Sequence, residues 1–475
     1  MFNYLCKYPA YLPLLLALFL TVGCAENVAY RTHEVSTDCP ASGCPNSVLE
    51  KHSDYDIGFV EFTDRGNVFD RERMNAVLRH VAAQAASPKG AAVVVFIHGW
   101  KHNAAPADRN LQSFRKMLED AARIKVNGER RLIGIYVGWR GQTFKMPVAE
   151  NLTYWARKNT AHDVGKGGVT ELLLRLEREL STQNTATEPN HNVFVTLGHS
   201  FGGSVLLSAM NDVLLDRAIR THAVGLQFCR SGCQRCVQTE PFGHGIILLN
   251  PAVEANEILQ LKEVVAEEQC YAKTQPKLLH VLSSQADIAT SIAFRAGQYL
   301  GVSIGSSEMP LERVYKGKKV TLHEHELDTN TIGNYLPFRS GLSVKQNSNN
   351  SEACKNRNKE RRECYISYEG DKEKLLPEQL QKHHIPANSD EPLHFLYTDA
   401  DFVKDHNDVF NARVAAYIVA VVKEAGFQRM SNISGGLNAV NLADIDTNCA
   451  GKTGGGFSFS NCFDHYTREF EAQKK

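Results

Sequence analysis

Ser200 stands in the run Gly198-His199-Ser200-Phe201-Gly202-Gly203, and a hydroxyl framed by glycines in this way is suited to attack on a carbonyl carbon. A serine becomes a nucleophile only when a base takes its proton, so the hydroxyl has to project where a base can reach it. The flanking residues provide for that. Asn192 to Leu197 is β-branched and reads as a strand, and Ser204 to Ile219 carries Val205, Leu206, Ala209, Met210, Val213 and Leu214 at helical spacing. Ser200 therefore occupies a strand-to-helix turn. The glycines let the chain bend sharply and let the helix pack close to the strand, which lifts the hydroxyl out of the sheet.

Attack on a carbonyl leaves a negative oxygen that needs hydrogen-bond donors. Ala91 to Ile97 is a continuous apolar run, as in a strand buried on both faces, and it ends in His98-Gly99-Trp100. The backbone N–H groups of Trp100 and Phe201 are the candidate donors. In the plainer reading, Gly99 only ends the strand and His98 caps it.

Strand-His-Gly-Trp followed by Gly-His-Ser-Phe-Gly-Gly resembles the α/β-hydrolase superfamily, and within it the bacterial esterase and lipase-like members, over about Asp56 to Ala425. The resemblance implies an α/β-hydrolase fold: a mostly parallel central sheet with helices on both faces and, here, a long insertion before the last strand. It also implies the chain order nucleophile, acid, histidine. Lys277 to Ser283 is strand-like and leads through Ser284-Gln285-Ala286 to Asp287, the candidate acid, whose plainer role is a helix N-cap. Glu254 is the alternative acid. It follows the strand pattern Gly245 to Asn250, after which lipases resembling this chain carry their acid, although Asn250 rather than Asp comes first there. The last strand pattern, Leu393 to Thr398, leads to His406, the candidate base. Asn407 to Ala425 then reads as the closing amphipathic helix, capped by Asn407 or Asp408. His383 and His384 precede that strand and fit the order less well. The reaction so implied is cleavage of a carboxylic ester through an acyl-enzyme, with no cofactor and no metal.

The N-terminus bears on location. Tyr11 to Leu20 is apolar, too short to span a bilayer, and preceded by Lys7, the pattern of a signal peptide. Thr21-Val22-Gly23-Cys24 resembles a bacterial lipobox, which implies cleavage before Cys24, lipid on Cys24 and a protein anchored to a membrane outside the cytoplasm; Ala25 resembles the outer-membrane sorting pattern. Plain secretion is the alternative. Removing Cys6 and Cys24 from the twelve cysteines leaves an even ten, as disulfides require. Cys39 with Cys44, Cys354 with Cys364 and Cys449 with Cys462 are local pairs. Cys229, Cys233, Cys236 and Cys270 form a group of undetermined connectivity, with a zinc site that uses Cys270 or His244 as the rival reading.

These signals divide the chain into a signal peptide (1–23), a polar tether (24–55), a core (56–300) with a Cys-rich insertion (221–244), a cap-like insertion (301–391), the returning core (392–427) and a Cys-stapled tail (428–475). Within the core, strands are expected at Ile57 to Thr63 and Leu132 to Gly138, and helices at Val68 to Ala86, Pro106 to Ile124 and, with a break at Lys166-Gly167-Gly168, Val148 to Leu180. Trp139 either lines an acyl pocket or packs in the core. Lys345 to Glu363 is polar, and His323-Glu324-His325 reads as a polar loop rather than a metal pair. The 53 basic and 53 acidic residues balance, so no nucleic-acid partner is indicated. Three functions fit: a carboxylesterase or lipase-like enzyme, a phospholipase or other membrane-lipid acyl hydrolase, and a non-catalytic binding module of the same fold. The partners implied are an acyl ester, small or lipid, and a membrane reached through the N-terminal anchor.

Overall fold

The structure, a computed structural model, describes residues 27–141, 154–224, 236–267, 270–295, 298, 309–315, 318–338, 343–344, 391–435, 446–451 and 456–474. Its frame is a ten-stranded sheet in the order β1-β2-β3-β5-β4-β6-β9-β10-β14-β13. The strands are β1 (His33–Ser36), β2 (Ser47–Lys51), β3 (Tyr55–Glu61), β4 (Ala91–Ile97), β5 (Arg131–Gly138), β6 (Val193–His199), β9 (Ile246–Leu249), β10 (Leu279–Ser284), β13 (Ser343–Val344) and β14 (Leu393–Thr398). Each neighbouring pair is parallel except β2 with β3. Two short antiparallel pairs, β7 (His222–Val224) with β8 (Cys236–Gln238) and β11 (Leu311–Tyr315) with β12 (Lys318–Leu322), stand apart from it.

Alternation along the central strands explains why helices cover both faces. Val93, Val95 and Ile97 join one core with α1 (Arg71–Ala85), α4 (Thr170–Ser181) and α5 (Phe201–Ile219). Ala92 and Phe96 join the other with α2 (Arg109–Arg123), α8 (Ala412–Ile433) and α9 (Phe459–Ala472). Of the remaining helices, α3 (Tyr154–Val164) meets α4 through a π-helical segment, Gly165–Val169, in which Gly167 leaves helical geometry. The expected break lies there. α6 (Leu259–Glu267) and α7 (Glu324–Thr329) complete the set. Among the described residues no helix is long and apolar enough to cross a membrane.

Several boundaries differ from the sequence expectation. Residues 33–51, assigned to a tether by their polarity, form β1 and β2 at the sheet edge, stapled by Cys39–Cys44. Burial of Arg31 against Glu50, with Arg115 on the same carboxylate, holds this segment down. Residues 318–338, assigned to a cap, pack Val320, Leu322 and Leu327 into the first core. The tail docks α9 through Phe463, Tyr466 and Phe470, and the Cys449–Cys462 disulfide is present. The closing helix begins at Ala412, not Asn407, because Asn411 rather than Asn407 or Asp408 accepts the free amides of Arg413 and Val414. Cys236 and Cys270 are each disulfide-bonded and their sulfurs lie 3.1 Å apart. Cys229, Cys233, Cys354, Cys364, His383, His384 and Cys24 lie outside the described residues.

Among the described residues, several histidines are held uncharged by burial. Burial lowers His98 to about 4, His199 and His280 to about 3, and His244 well below its ordinary value. Unfolded histidine takes up a proton near pH 6.5 and these folded ones do not, so the unfolded chain binds more protons as the pH falls below that value. Each such group should remove up to about 1.4 kcal/mol of stability per pH unit below about 6.5. Chemical denaturation at pH 7.5 and 5.0 should show a marked loss at the lower pH, reduced in a His280→Gln variant. Equal midpoints and slopes at the two values would contradict the assignment.

Candidate active site

Parallel pairing brings the C-terminal ends of β4, β6, β9, β10 and β14 to one edge of the sheet, and the candidate residues come from the loops that leave it. Ser200 follows β6 directly and precedes α5, with φ 56° and ψ −123°, a region non-glycine residues rarely occupy. Backbone bonds to β9, to the loop after it and within α5 hold it there. Ser200 N–H donates to the Leu249 carbonyl at 3.1 Å, and the Ser200 carbonyl accepts from Gly203 at 2.9 Å and Ala252 at 3.0 Å. The glycines are required by contact. A Cβ on Gly202 would lie 2.1 Å from the Ile97 carbonyl oxygen, and one on Gly203 would lie 2.9 Å from Pro251 Cβ.

Ser200, Asp287 and His406 are brought together. The Ser200 hydroxyl lies 2.8 Å from His406 Nε2, and His406 Nδ1 lies 2.9 Å from Asp287 Oδ2. An ionised carboxylate only accepts, so Nδ1 carries the proton and Nε2 is left to accept from Ser200. Burial pushes the Asp287 carboxyl up, but hydrogen bonds from His406 and Thr290 outweigh this and hold it below its ordinary value. Thr290 N–H and Oγ1 donate to Asp287 at 3.1 and 2.6 Å, so Asp287 caps the next turn as well as holding the histidine. Oδ1 accepts the Thr290 amide, and Oδ2 accepts from the Thr290 hydroxyl and from His406.

The turn after β4 closes the other side. A Cβ on Gly99 would sit 2.8 Å from Ser200 Cβ, and the Trp100 and Phe201 rings meet edge to face with centroids 6.4 Å apart. His98 is fully buried. Its Nε2 accepts from the Trp139 amide at 3.1 Å, so Nδ1 donates to the Gly99 carbonyl at 3.0 Å and fixes the turn. Trp139 is 3% exposed, donates from Nε1 to the His98 carbonyl at 2.9 Å and stacks on its ring, so it packs in the core rather than lining a pocket.

Glu254 does not meet His406. Its carboxylate takes hydrogen bonds from Lys158 and Gln298. With His162 and Glu257 it forms the metal-capable group among the described residues, ligand atoms within 4.8 Å of one another. Lys158, lowered to about 8 by burial against the pull of Glu257 and Asp328, already supplies a cation there.

Three contributors escaped the sequence reading. His199 Nε2 donates to the carbonyl of His406 at 2.9 Å, and Asn250 Nδ2 donates to the same oxygen at 3.2 Å while its Oδ1 accepts from Ser284 N–H at 3.0 Å. Asn250 stood out only as a departure from an expected Asp, yet a strand-terminal amide with φ 43° is itself a sign of a side chain doing backbone bonding. His102 pairs with Asp108, the N-cap of α2, at 3.1 Å. The chain matches no protein family, no curated protein and no solved structure.

The strained φ of Ser200 yields a test. Glycine adopts it freely, so Ser200→Gly should be more stable than Ser200→Ala by about 1 kcal/mol. Gly202→Ala should cost about 1–3 kcal/mol by overpacking against β4. Urea titrations of the three variants check this. Indistinguishable Ser200→Gly and Ser200→Ala proteins would mean that the turn relaxes.

Proposed function

We propose that the chain is a serine hydrolase of the α/β-hydrolase type that cleaves carboxylic esters, exported and held at a membrane by lipid on Cys24. The observation that carries the reading is the continuous relay from Asp287 through His406 to the Ser200 hydroxyl, with bonds of 2.9 and 2.8 Å. His406 Nε2 takes the Ser200 proton as Oγ attacks the ester carbonyl carbon, and Asp287 stabilises the imidazolium that results. The developing oxyanion lies where the amide of Phe201, in the first turn of α5, and the amide of Trp100 donate; first-turn helix amides have no acceptor inside the helix. Collapse of the tetrahedral intermediate expels the alcohol with the proton from His406 and leaves an acyl-Ser200. Water, deprotonated by the same imidazole, then releases the carboxylic acid.

Asp287 is the acid in this scheme and Glu254 belongs to the Lys158 ion pair. A fluorophosphonate probe should label the wild-type protein and leave Ser200→Ala unlabelled. With a soluble short-chain nitrophenyl ester, Asp287→Asn should lower kcat by about 10³- to 10⁴-fold through the wrong histidine tautomer, while Glu254→Gln stays within about tenfold of wild type. Failure of folded wild type to react with the probe would refute the proposal; a larger loss for Glu254→Gln than for Asp287→Asn would move the acid.

A further inference from the structure

The chain enters the sheet at the same edge from which Ser200 projects. His33, the first residue of β1, is level with Ser47 of β2, and β2 runs against β3 with Leu49 opposite Gly58. The start of β1 is therefore level with the end of β3. Val60 there is level with Val137, Val137 with Ile97, and Ile97 with Gly198, two residues before Ser200.

The residues ahead of β1 are moored at this edge. Tyr30 and Arg31 donate their amides to the Glu61 carboxylate at 2.9 and 2.8 Å, and Arg31 Nε donates to the Ala104 carbonyl at 2.8 Å, in the loop that follows β4. Three strand spacings separate β3 from β6, which sets Tyr30 about 15 Å to the side of the nucleophile's strand. Cys24 lies six residues before Tyr30, so a lipid on it reaches about 20 Å from that mooring at full extension. A seven-residue strand such as β3 already spans about 23 Å. The tether is too short to turn the opposite end of the sheet toward the same bilayer. Two exposed apolar side chains mark the near edge: Val28 at 45% and Ile288, next to Asp287, at 66%.

We propose that the Ser200 edge faces the membrane in which Cys24 is anchored and that the substrates are acyl esters resident in that membrane, an inference that rests on the serine-hydrolase and lipoprotein readings above. A soluble ester would have no need of this placement. An ester whose acyl chain lies in the bilayer is delivered by it, because anchoring raises the local concentration of the site at the surface.

The test uses the full lipidated chain in vesicles of phosphatidylethanolamine and phosphatidylglycerol, with a photoreactive residue at Ile288 or at Ile219. Ile219 is also 66% exposed but ends α5, about 28 Å along that helix from Ser200. Position 288 should crosslink lipid at least about tenfold more than position 219; equal or reversed yields would overturn the orientation. Wild type in the vesicles should hydrolyse a long-chain ester dissolved in them about tenfold faster than Cys24→Ala protein added from solution, with equal rates on a soluble short-chain ester. Equal rates on the vesicle ester would overturn the substrate assignment. A chain that takes up fluorophosphonate but does not float with vesicles would overturn the anchor and this proposal with it. Loss of fluorophosphonate labelling in anchored protein would instead refute the hydrolase reading, and the crosslinks would still decide the orientation.

Discussion

The carbonyl oxygen of His406 accepts from His199 Nε2 and from Asn250 Nδ2, and this shared acceptor fixes a side chain that no regular element carries. His406 sits in the loop between β14 and α8, eight residues past its strand, whereas Ser200 directly follows β6 and Asp287 comes three residues after β10. A loop residue held only through its own ring would lose rotamer and backbone freedom on every encounter with Ser200. Here the cost is met by folding. Asn250 bridges the loop to β10 through Ser284 N–H, and the Ser284 hydroxyl donates to the Val403 carbonyl at 2.6 Å. One end of β9 and one end of β10 therefore determine where His406 lies relative to Asp287 and Ser200.

His199 can do this only because it is neutral. Buried, and beside His406, it is lowered to about 3, so it adds no positive charge next to the His406 ring. A charged residue in its place would disfavour the imidazolium through a short, poorly screened distance, the two rings being 5.0 Å apart. The same separation of tasks appears at the turn after β4, where neutral His98 spends both nitrogens on backbone groups. Histidines that look interchangeable in sequence differ in their bonds: His98 and His199 hold backbone, and the ring of His406 lies between the side chains of Asp287 and Ser200.

The Ser200 turn, the turn after β4, and the positions of Asp287 and His406 were legible because each follows a strand, and strand ends show as apolar runs broken by glycine or polar residues. The closing helix was legible in its buried face but not in its start, since Val409 joins the core from the loop and continues the apolar pattern beyond the helix. What polarity concealed was burial by pairing. Arg31, Glu50 and Arg115 look like solvated residues, yet all three are nearly fully buried, with Glu50 bonded to both arginines. Hydrogen-bonded contacts between residues far apart in sequence leave no periodic trace, so the edge strands read as a tether and the Asn250 bridge as a missing acid.

That buried network has a consequence for how the two ends of the molecule are connected. Burial outweighs the pull of Glu50 and Glu61 and lowers Arg31 to about 10, so the arginine keeps its charge in a place where a lone cation would be costly. Removing either partner would strand the other in the interior, which makes the N-terminal segment an integral part of the sheet rather than an appendage that peels away under tension. Glu61, at the end of β3, accepts the Tyr30 and Arg31 amides and packs against Gly138, where an added Cβ would lie 2.9 Å from its Cγ. Ala104 lies at the same distance from that Cβ position and belongs to the loop that also carries Gly99 and Trp100. Force applied through residues before Tyr30 is thus borne by the ends of β3 and β5 and by the loop after β4, and the mooring lies at the same edge of the sheet as the candidate site.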